Sequence, residues 1–266
     1  MSFSPKARLR RGFEAARATY RQAARAQRQA AGIVASRLPA AASPRVLEIG
    51  AGGGLLTGLV LDRIDPALYV ALDLSAKLVA PGAMAAAASA AGKPLGETAG
   101  RYLGLAADGE AAPFRSARFD MLVSSSAMQW YAHPAASIRA NLSLLAPDGF
   151  YSLSLFTRGS LPEVARAAGL SGFGGVHPLP EAGELAGALA DLGPNIETGT
   201  ITVWYESVEA ALRSIKLAGA SRMSGRPRFG KTLYRSFREA YLGLYGTGGR
   251  VPLSYEVLYL WGSVAS

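Results

Sequence analysis

The sequence predicts a doubly wound, mostly parallel α/β sheet. Three observations predict it: short apolar runs of strand length, helical stretches that alternate with them, and a glycine-dense turn directly after the first run. The 266 residues are enough for one large domain with a sizeable core.

Residues 12–38 are rich in Ala, Gln and Arg and hold no proline, which predicts a helix. Phe13, Ala16, Tyr20, Ala24, Gln27, Ala31 and Val34 fall on one side of it, beside a stripe of Arg17, Arg21, Arg25 and Arg28. Pro39 and Pro44 end it. Arg45 to Ile49 reads as the first strand, Gly50-Ala51-Gly52-Gly53-Gly54 as a tight turn, and Leu55 to Arg63 as a helix. Leu68 to Leu72 is the next strand, closed by Asp73, and alanine content predicts a helix over 76–91. Further strands are expected at Phe119–Ser124 and Gly149–Phe156. Beyond Ser160 a glycine-rich piece (Gly169 to Gly175) precedes a helical stretch near 181–192, an alternating strand at Asn195–Tyr205, helices over 207–245 around a break at Ser221–Pro227, and a last strand at Ser254–Ser263.

Composition excludes several chemistries. No cysteine means no disulfide, thiolate metal site, iron–sulfur cluster or Cys nucleophile, and His133 and His177 are the only histidines, so no metal role is expected. The net charge of +9 invites an acidic partner, but it is unevenly spread. Residues 1–45 carry ten basic side chains against one acidic, 46–200 nine against fourteen, and 201–266 nine against four. A slightly acidic body between two basic ends is not the pattern of a nucleic-acid domain. No run of 18 apolar residues predicts a membrane span, and Met1 to Lys6 lacks the apolar centre of a secretory signal. A cytoplasmic protein is expected, without a membrane or nucleic-acid role.

The strand–glycine turn–helix unit builds a ligand site, because glycine lets the backbone turn sharply and approach closely. The dinucleotide fingerprint would need a third glycine at Leu55 or Thr57, which argues against NAD and FAD. Glu48-Ile49-Gly50-Ala51-Gly52-Gly53-Gly54 instead resembles the first motif of class I S-adenosylmethionine (SAM) methyltransferases, whose fold is a seven-stranded Rossmann-like sheet. The resemblance implies SAM as cofactor. Glu48, Gly50, Gly52 and Gly54 would face its methionine part, Asp73 with Leu74 would take the ribose hydroxyls, and Ala107-Asp108 the adenine, with Ser124 at the end of the central strand.

Four segments narrow the resemblance to malonyl-acyl-carrier-protein O-methyltransferases of biotin synthesis. They are Phe13-x-x-Ala16-x-x-x-Tyr20-x-x-x-Ala24-x-x-Gln27; Ser124-Ser125-Ser126-Ala127-Met128-Gln129-Trp130; Phe156-Thr157-x-Gly159-Ser160-Leu161-Pro162-Glu163; and Leu212-x-x-Ile215-Lys216-x-x-Gly219-Ala220 with Val251 to Val257. That family implies methylation of the malonyl carboxylate, with S-adenosylhomocysteine as product and an acidic acyl-carrier protein as partner. It also implies one methyltransferase domain over 1–266, working as a monomer, with a cofactor-covering helix at 12–38 and a helical lid at 207–250. Tyr20, Gln129 and Trp130 would be the catalytic residues. Arg158, Lys216 and Arg222 are candidates for the substrate carboxylate, and Arg228, Lys231 and Arg235, on one face of a lid helix, for carrier docking. Competing readings are the related arginine hydroxylases of respiratory complex I assembly, an RNA or small-molecule methyltransferase, and a SAM-binding regulator.

Overall fold

The computed structural model describes residues 5–80, 101–218 and 230–265. Seven strands, β1 (Arg45–Ile49), β2 (Leu68–Asp73), β3 (Tyr102–Ala106), β4 (Phe119–Ser125), β5 (Leu145–Phe156), β6 (Asn195–Tyr205) and β7 (Val251–Ser263), form one sheet in the order β3-β2-β1-β4-β5-β7-β6. Strands β1 to β5 pair in parallel, and β7 runs antiparallel between β5 and β6. The order reverses direction at β1 and β4, so a crevice opens beyond their carboxyl ends, where open α/β sheets bind ligands.

Alternation along β1 assigns the two layers. Val46 packs with Val34 and Val60, on the side of α2 (Arg25–Ser36) and α3 (Leu55–Leu61). Leu47 and Ile49 pack with Ile138, Leu142 and Leu185, on the side of α4 (Pro134–Leu142) and α6 (Ala182–Ala188). A third cluster surrounds β6 and β7, where α5 (Pro162–Ser171), α7 (Val208–Leu217) and α8 (Lys231–Tyr245) bring Val164, Val208, Phe237 and Tyr241 against Phe156 and Leu253. Among the described residues no helix is long and apolar enough to cross a membrane.

The structure departs from the sequence expectation in three places. The helix expected over 12–38 is two: α1 (Pro5–Ala23) and α2, broken at Ala24, whose ψ of 54° leaves the helical region. Strand β3 went unpredicted, because Tyr102-Leu-Gly-Leu-Ala106 is a half-exposed edge interrupted by a glycine. Gly104 is required there, since a Cβ would meet the Val79 carbonyl at 2.0 Å. Helix α5 also lies where only a change of pattern was read. Of the helix expected over 76–91, residues 76–80 form turns and bends, and 81–91, like the 221–227 break, lie outside the described residues.

Glu48 shares the Val46 side of β1 and is 1% exposed. Its Oε2 accepts from the Tyr69 hydroxyl at 2.7 Å and from the Thr57 hydroxyl. Burial overrides these donors and pushes the carboxyl up to about 7 from its ordinary 4.5. The folded protein therefore holds this proton more tightly than the unfolded chain. The contribution of Glu48 to stability is fully present below pH 4.5 and falls by about 3 kcal/mol as pH rises through 7. Glu48→Gln keeps an acceptor for both hydroxyls and removes the titration. Denaturant unfolding at pH 5 and pH 8 should show a loss in the wild type that the variant lacks.

Candidate active site

The turn from β1 into α3 sets the site. Gly50 (φ 76°), Gly52 (φ 51°) and Gly54 (φ 71°) adopt the left-handed region that disfavours other residues. Two N–H groups, of Gly50 and Ala51, donate to the Leu72 carbonyl at 2.8 and 3.1 Å, which fixes the turn to the end of β2. There Asp73 faces it. Its Oδ2 accepts from the Gly52 N–H at 3.0 Å and its Oδ1 from the Ser75 N–H at 2.9 Å. Burial raises its pKa, while these backbone donors oppose the rise. Each oxygen keeps lone-pair capacity for a further donor.

The opposite wall is the loop after β3. Asp108 Oδ1 accepts from the Glu110 N–H at 3.0 Å and opens a single 3-10 turn, Gly109–Ala111. Glu110 Oε1 accepts from the N–H groups of Ala132 (2.9 Å) and His133 (3.2 Å) and from the Ser137 hydroxyl (2.9 Å), capping the start of α4. Burial pushes the Glu110 carboxyl up, but Lys6 and these donors win and hold it at about 2. Asn141 donates to the Gly109 carbonyl at 2.8 Å and accepts from Tyr131 at 2.9 Å, so the loop is tied to α4 from both sides.

Helix α1 covers the cleft between these walls. Lys6, Leu9, Phe13 and Tyr20 line it from above. Lys6 Nζ lies 2.5 Å from both Asp108 Oδ2 and Glu110 Oε2. Glu14 accepts from the Ser75 hydroxyl at 2.7 Å and from Lys77 at 3.2 Å, and Thr19 donates to the Leu217 carbonyl at 3.2 Å. Tyr20 rests on the turn itself: a Cβ on Gly53 would sit 2.8 Å from its ring. Desolvation, with Asp73 and Glu48 nearby, raises the Tyr20 pKa and keeps the phenol neutral.

A second cavity, of about 320 Å³, shares Phe13, Tyr20, Ser126 and Trp130 with the first. Phe156, Leu161, Phe173, Leu212, Ile215, Phe237 and Tyr255 make it apolar. Lys216 is the one Lys, Arg, Asp or Glu among the described residues that line it. Trp130 stacks on His177 (centroids 5.5 Å apart, planes 24° apart) and meets Phe13 edge-on at 6.4 Å. Gln129 donates from Nε2 to the Ser126 carbonyl at 2.9 Å, supporting a non-glycine residue at φ 57°.

Of the residues singled out from sequence, Tyr20, Gly50, Gly52, Asp73, Leu74, Ala107, Asp108 and Trp130 line the first cavity. Gln129 and Lys216 line the second. Three of the expected cofactor residues fall elsewhere. Glu48 lies beneath the turn, Gly54 is the cap residue of α3, and Ser124 is fully buried, with its hydroxyl donating to the Ile49 carbonyl at 2.8 Å. Gly53, Ser125 and Ser126 hold the cleft positions instead. Arg158 borders an outer groove, and Lys231 and Arg235 are exposed on α8, away from both cavities. Arg222 and Arg228 lie outside the described residues. The arginine stripe is partly engaged: Arg17 lines the cleft, Arg25 donates to the Trp204 carbonyl at 3.2 Å, and Arg28 donates to the Arg21 carbonyl. Sequence reasoning missed Lys6 and Tyr131, although Lys6, Phe13 and Tyr20 recur every seven residues on one helical face.

These residues fit an adenosyl methyl donor. Asp73 suits two ribose hydroxyls, Asp108 an exocyclic amine, Leu74 and Leu78 an aromatic face, and the glycine backbone a close-lying chain. Asp73→Asn would put a donor where a ribose diol would need two acceptors. About 10- to 100-fold weaker SAM binding by calorimetry is expected, with unchanged circular dichroism.

A family model described as a methyltransferase domain matches residues 47–153. A malonyl-[acyl-carrier protein] O-methyltransferase from Marinomonas sp. is 28% identical, over 97% of this chain and 94% of its own. Another, from Laribacter hongkongensis, is 31% identical, over 97% of this chain and 89% of its own. The crystal structure of a putative methyltransferase from Bacillus halodurans superimposes with a TM-score of 0.60 at 13% identity, covering 90% of this chain and 100% of that one, which supports the class I methyltransferase fold. Likeness of that extent along the whole chain, on a sheet and cleft of this form, means that the chain belongs to the malonyl-[acyl-carrier protein] O-methyltransferase family.

Proposed function

We propose that this enzyme transfers a methyl group from SAM to the free carboxylate of malonyl-acyl-carrier protein, giving the malonyl methyl ester and S-adenosylhomocysteine. The observation that carries this reading is the apolar second cavity, joined to the cofactor cleft and offering Lys216 to an anion. When bound, SAM supplies an electrophilic methyl group on a sulfonium. A malonyl carboxylate is already ionised at neutral pH, so the protein need not remove a proton. The neutral Tyr20 phenol accords with that: it is no base, and its ring, with Phe13, excludes water from the junction of the two cavities. Trp130 walls both cavities, and Gln129 holds the Ser126 carbonyl, so the reacting groups are kept in line. Tyr20, Trp130 and Gln129 act by contact and orientation, and Lys216 offsets the cost of desolvating the carboxylate.

In this reading α1 and the start of α2 are the cofactor cover, and the 207–250 segment is the lid that completes the acceptor side. The carrier protein docks on the exposed basic face of α8 around Lys231 and Arg235, with Arg158 as a further contact.

Lys216→Met should raise KM for malonyl-carrier protein at least about tenfold, leave S-adenosylhomocysteine affinity unchanged, and be partly rescued by Lys216→Arg. Steady-state kinetics beside calorimetry check this, and an unchanged KM would remove Lys216 from the site. Paired Lys231→Glu and Arg235→Glu should raise KM for the carrier-bound substrate and spare a malonyl thioester lacking the carrier, with the penalty shrinking at high salt.

A further inference from the structure

We propose that the outer groove beside the Trp130–His177 stack binds the amide-bearing thioester arm that presents the acyl group. This rests on the thioester reading above and adds a binding site to it. The groove, about 460 Å³, runs between the segment after β4 and the segment leading into α6. It shares Gln129, Trp130 and His177 with the acceptor cavity, so these three side chains stand where the two spaces meet.

The chemistry at that junction selects the occupant. Gln129 is 6% exposed, and its Oε1 has no hydrogen-bond partner, nor has the buried Nε1 of Trp130. The Gln129 amide cannot be turned around, because its Nε2 must donate to the Ser126 carbonyl. One acceptor and one donor are therefore left without partners; both atoms are shielded from solvent behind the junction, so a ligand recovers their cost through a local shift of these two side chains. A carboxylate answers only the indole N–H. A secondary amide carries both an N–H and a carbonyl and answers both. The groove is also preformed: Pro178 and Pro180 stiffen one wall, the Arg158 N–H donates to the Pro180 carbonyl at 2.9 Å, and Glu110 caps the helix behind the other. The exposed Arg158 suits a phosphate at the far end of such an arm.

Ala132 and Ala188 line the groove and neither cavity. Ala132→Trp and Ala188→Trp should raise KM about tenfold or more for malonyl-carrier protein, malonyl-coenzyme A and malonyl N-acetylcysteamine, which all carry the amide. The amide-free malonyl ethyl thioester and S-adenosylhomocysteine affinity should be unaffected. Equal penalties on the ethyl thioester, or none on the others, would overturn the proposal, as would a penalty confined to the carrier-bound substrate, which would mean contact with the carrier's own surface. An arm of the test that needs no variant replaces the amide of malonyl N-acetylcysteamine by an ester. The wild type should then lose about tenfold in kcat/KM, and an undiminished value contradicts the junction chemistry. If no malonyl thioester is methylated, the functional reading fails by itself. Calorimetry with pantetheine then decides the groove: binding that Ala188→Trp abolishes supports it, and no binding refutes it.

Discussion

A stretch of backbone without side chains is the constraint on which the site depends. Gly50 to Gly54 must turn in the left-handed region while three other parts of the molecule press on it. Ala127 lies where a Gly50 Cβ would be, the Tyr20 ring lies on Gly53, and the Asp73 carboxylate takes the Gly52 N–H. The turn thus sets the cover helix, the end of β2 and the segment after β4 relative to one another. A single methyl group at Gly50 or Gly53 would move one of them. The same contacts bring Tyr20 and Trp130 to the place where the two cavities meet.

The two cavities are electrically unlike. The strand side of the cofactor cleft presents Asp73 and Asp108, and α1 presents Lys6, Arg10 and Arg17. Lys6 joins the two sides, but its side chain is 35% exposed, and such pairs contribute about 0–1 kcal/mol each. Packing of Phe13 and Tyr20 therefore does more than the ion pairs to keep α1 in place. The second cavity has aromatic and aliphatic walls with the exposed Lys216 at its border, so under the proposed function a carboxylate would pass a cation as it leaves water for a poorly polar space. An anion in that setting is a stronger nucleophile than in bulk solvent, which suits a chain with no cysteine and two histidines.

Much of this was legible in the sequence because it rests on local pattern. Apolar runs and helical stretches alternate, so the doubly wound sheet follows; Gly50, Gly52 and Asp73 follow as cleft residues from their places after the first two strands, and Asp108 from the resemblance of its segment. What was not legible depends on tertiary contact. Ala24 is among the best helix formers, yet the chain breaks there, because α1 must lie over the cleft while α2 packs on the sheet. Ser124 and Ser126 are alike in sequence, and the end of β4 at Ser125 with the left-handed backbone of Ser126 decides which is core and which lines the cleft. Glu48 belongs to the motif but alternates to the side of the sheet where Tyr69 and Thr57 lie. The acceptor walls come from segments more than a hundred residues apart, as Gln27 and Phe237 illustrate, and no spacing announces them.

The central claim is that the cleft and the apolar cavity together deliver a methyl group to a malonyl carboxylate. Mass spectrometry of malonyl-carrier protein after a single turnover with SAM tests it most directly. The account predicts one added methylene on the malonyl group, removed by mild esterase treatment, and no change in acetyl-carrier protein, which lacks the free carboxylate. Methylation of both carriers, or of neither by an enzyme that binds SAM, would contradict it.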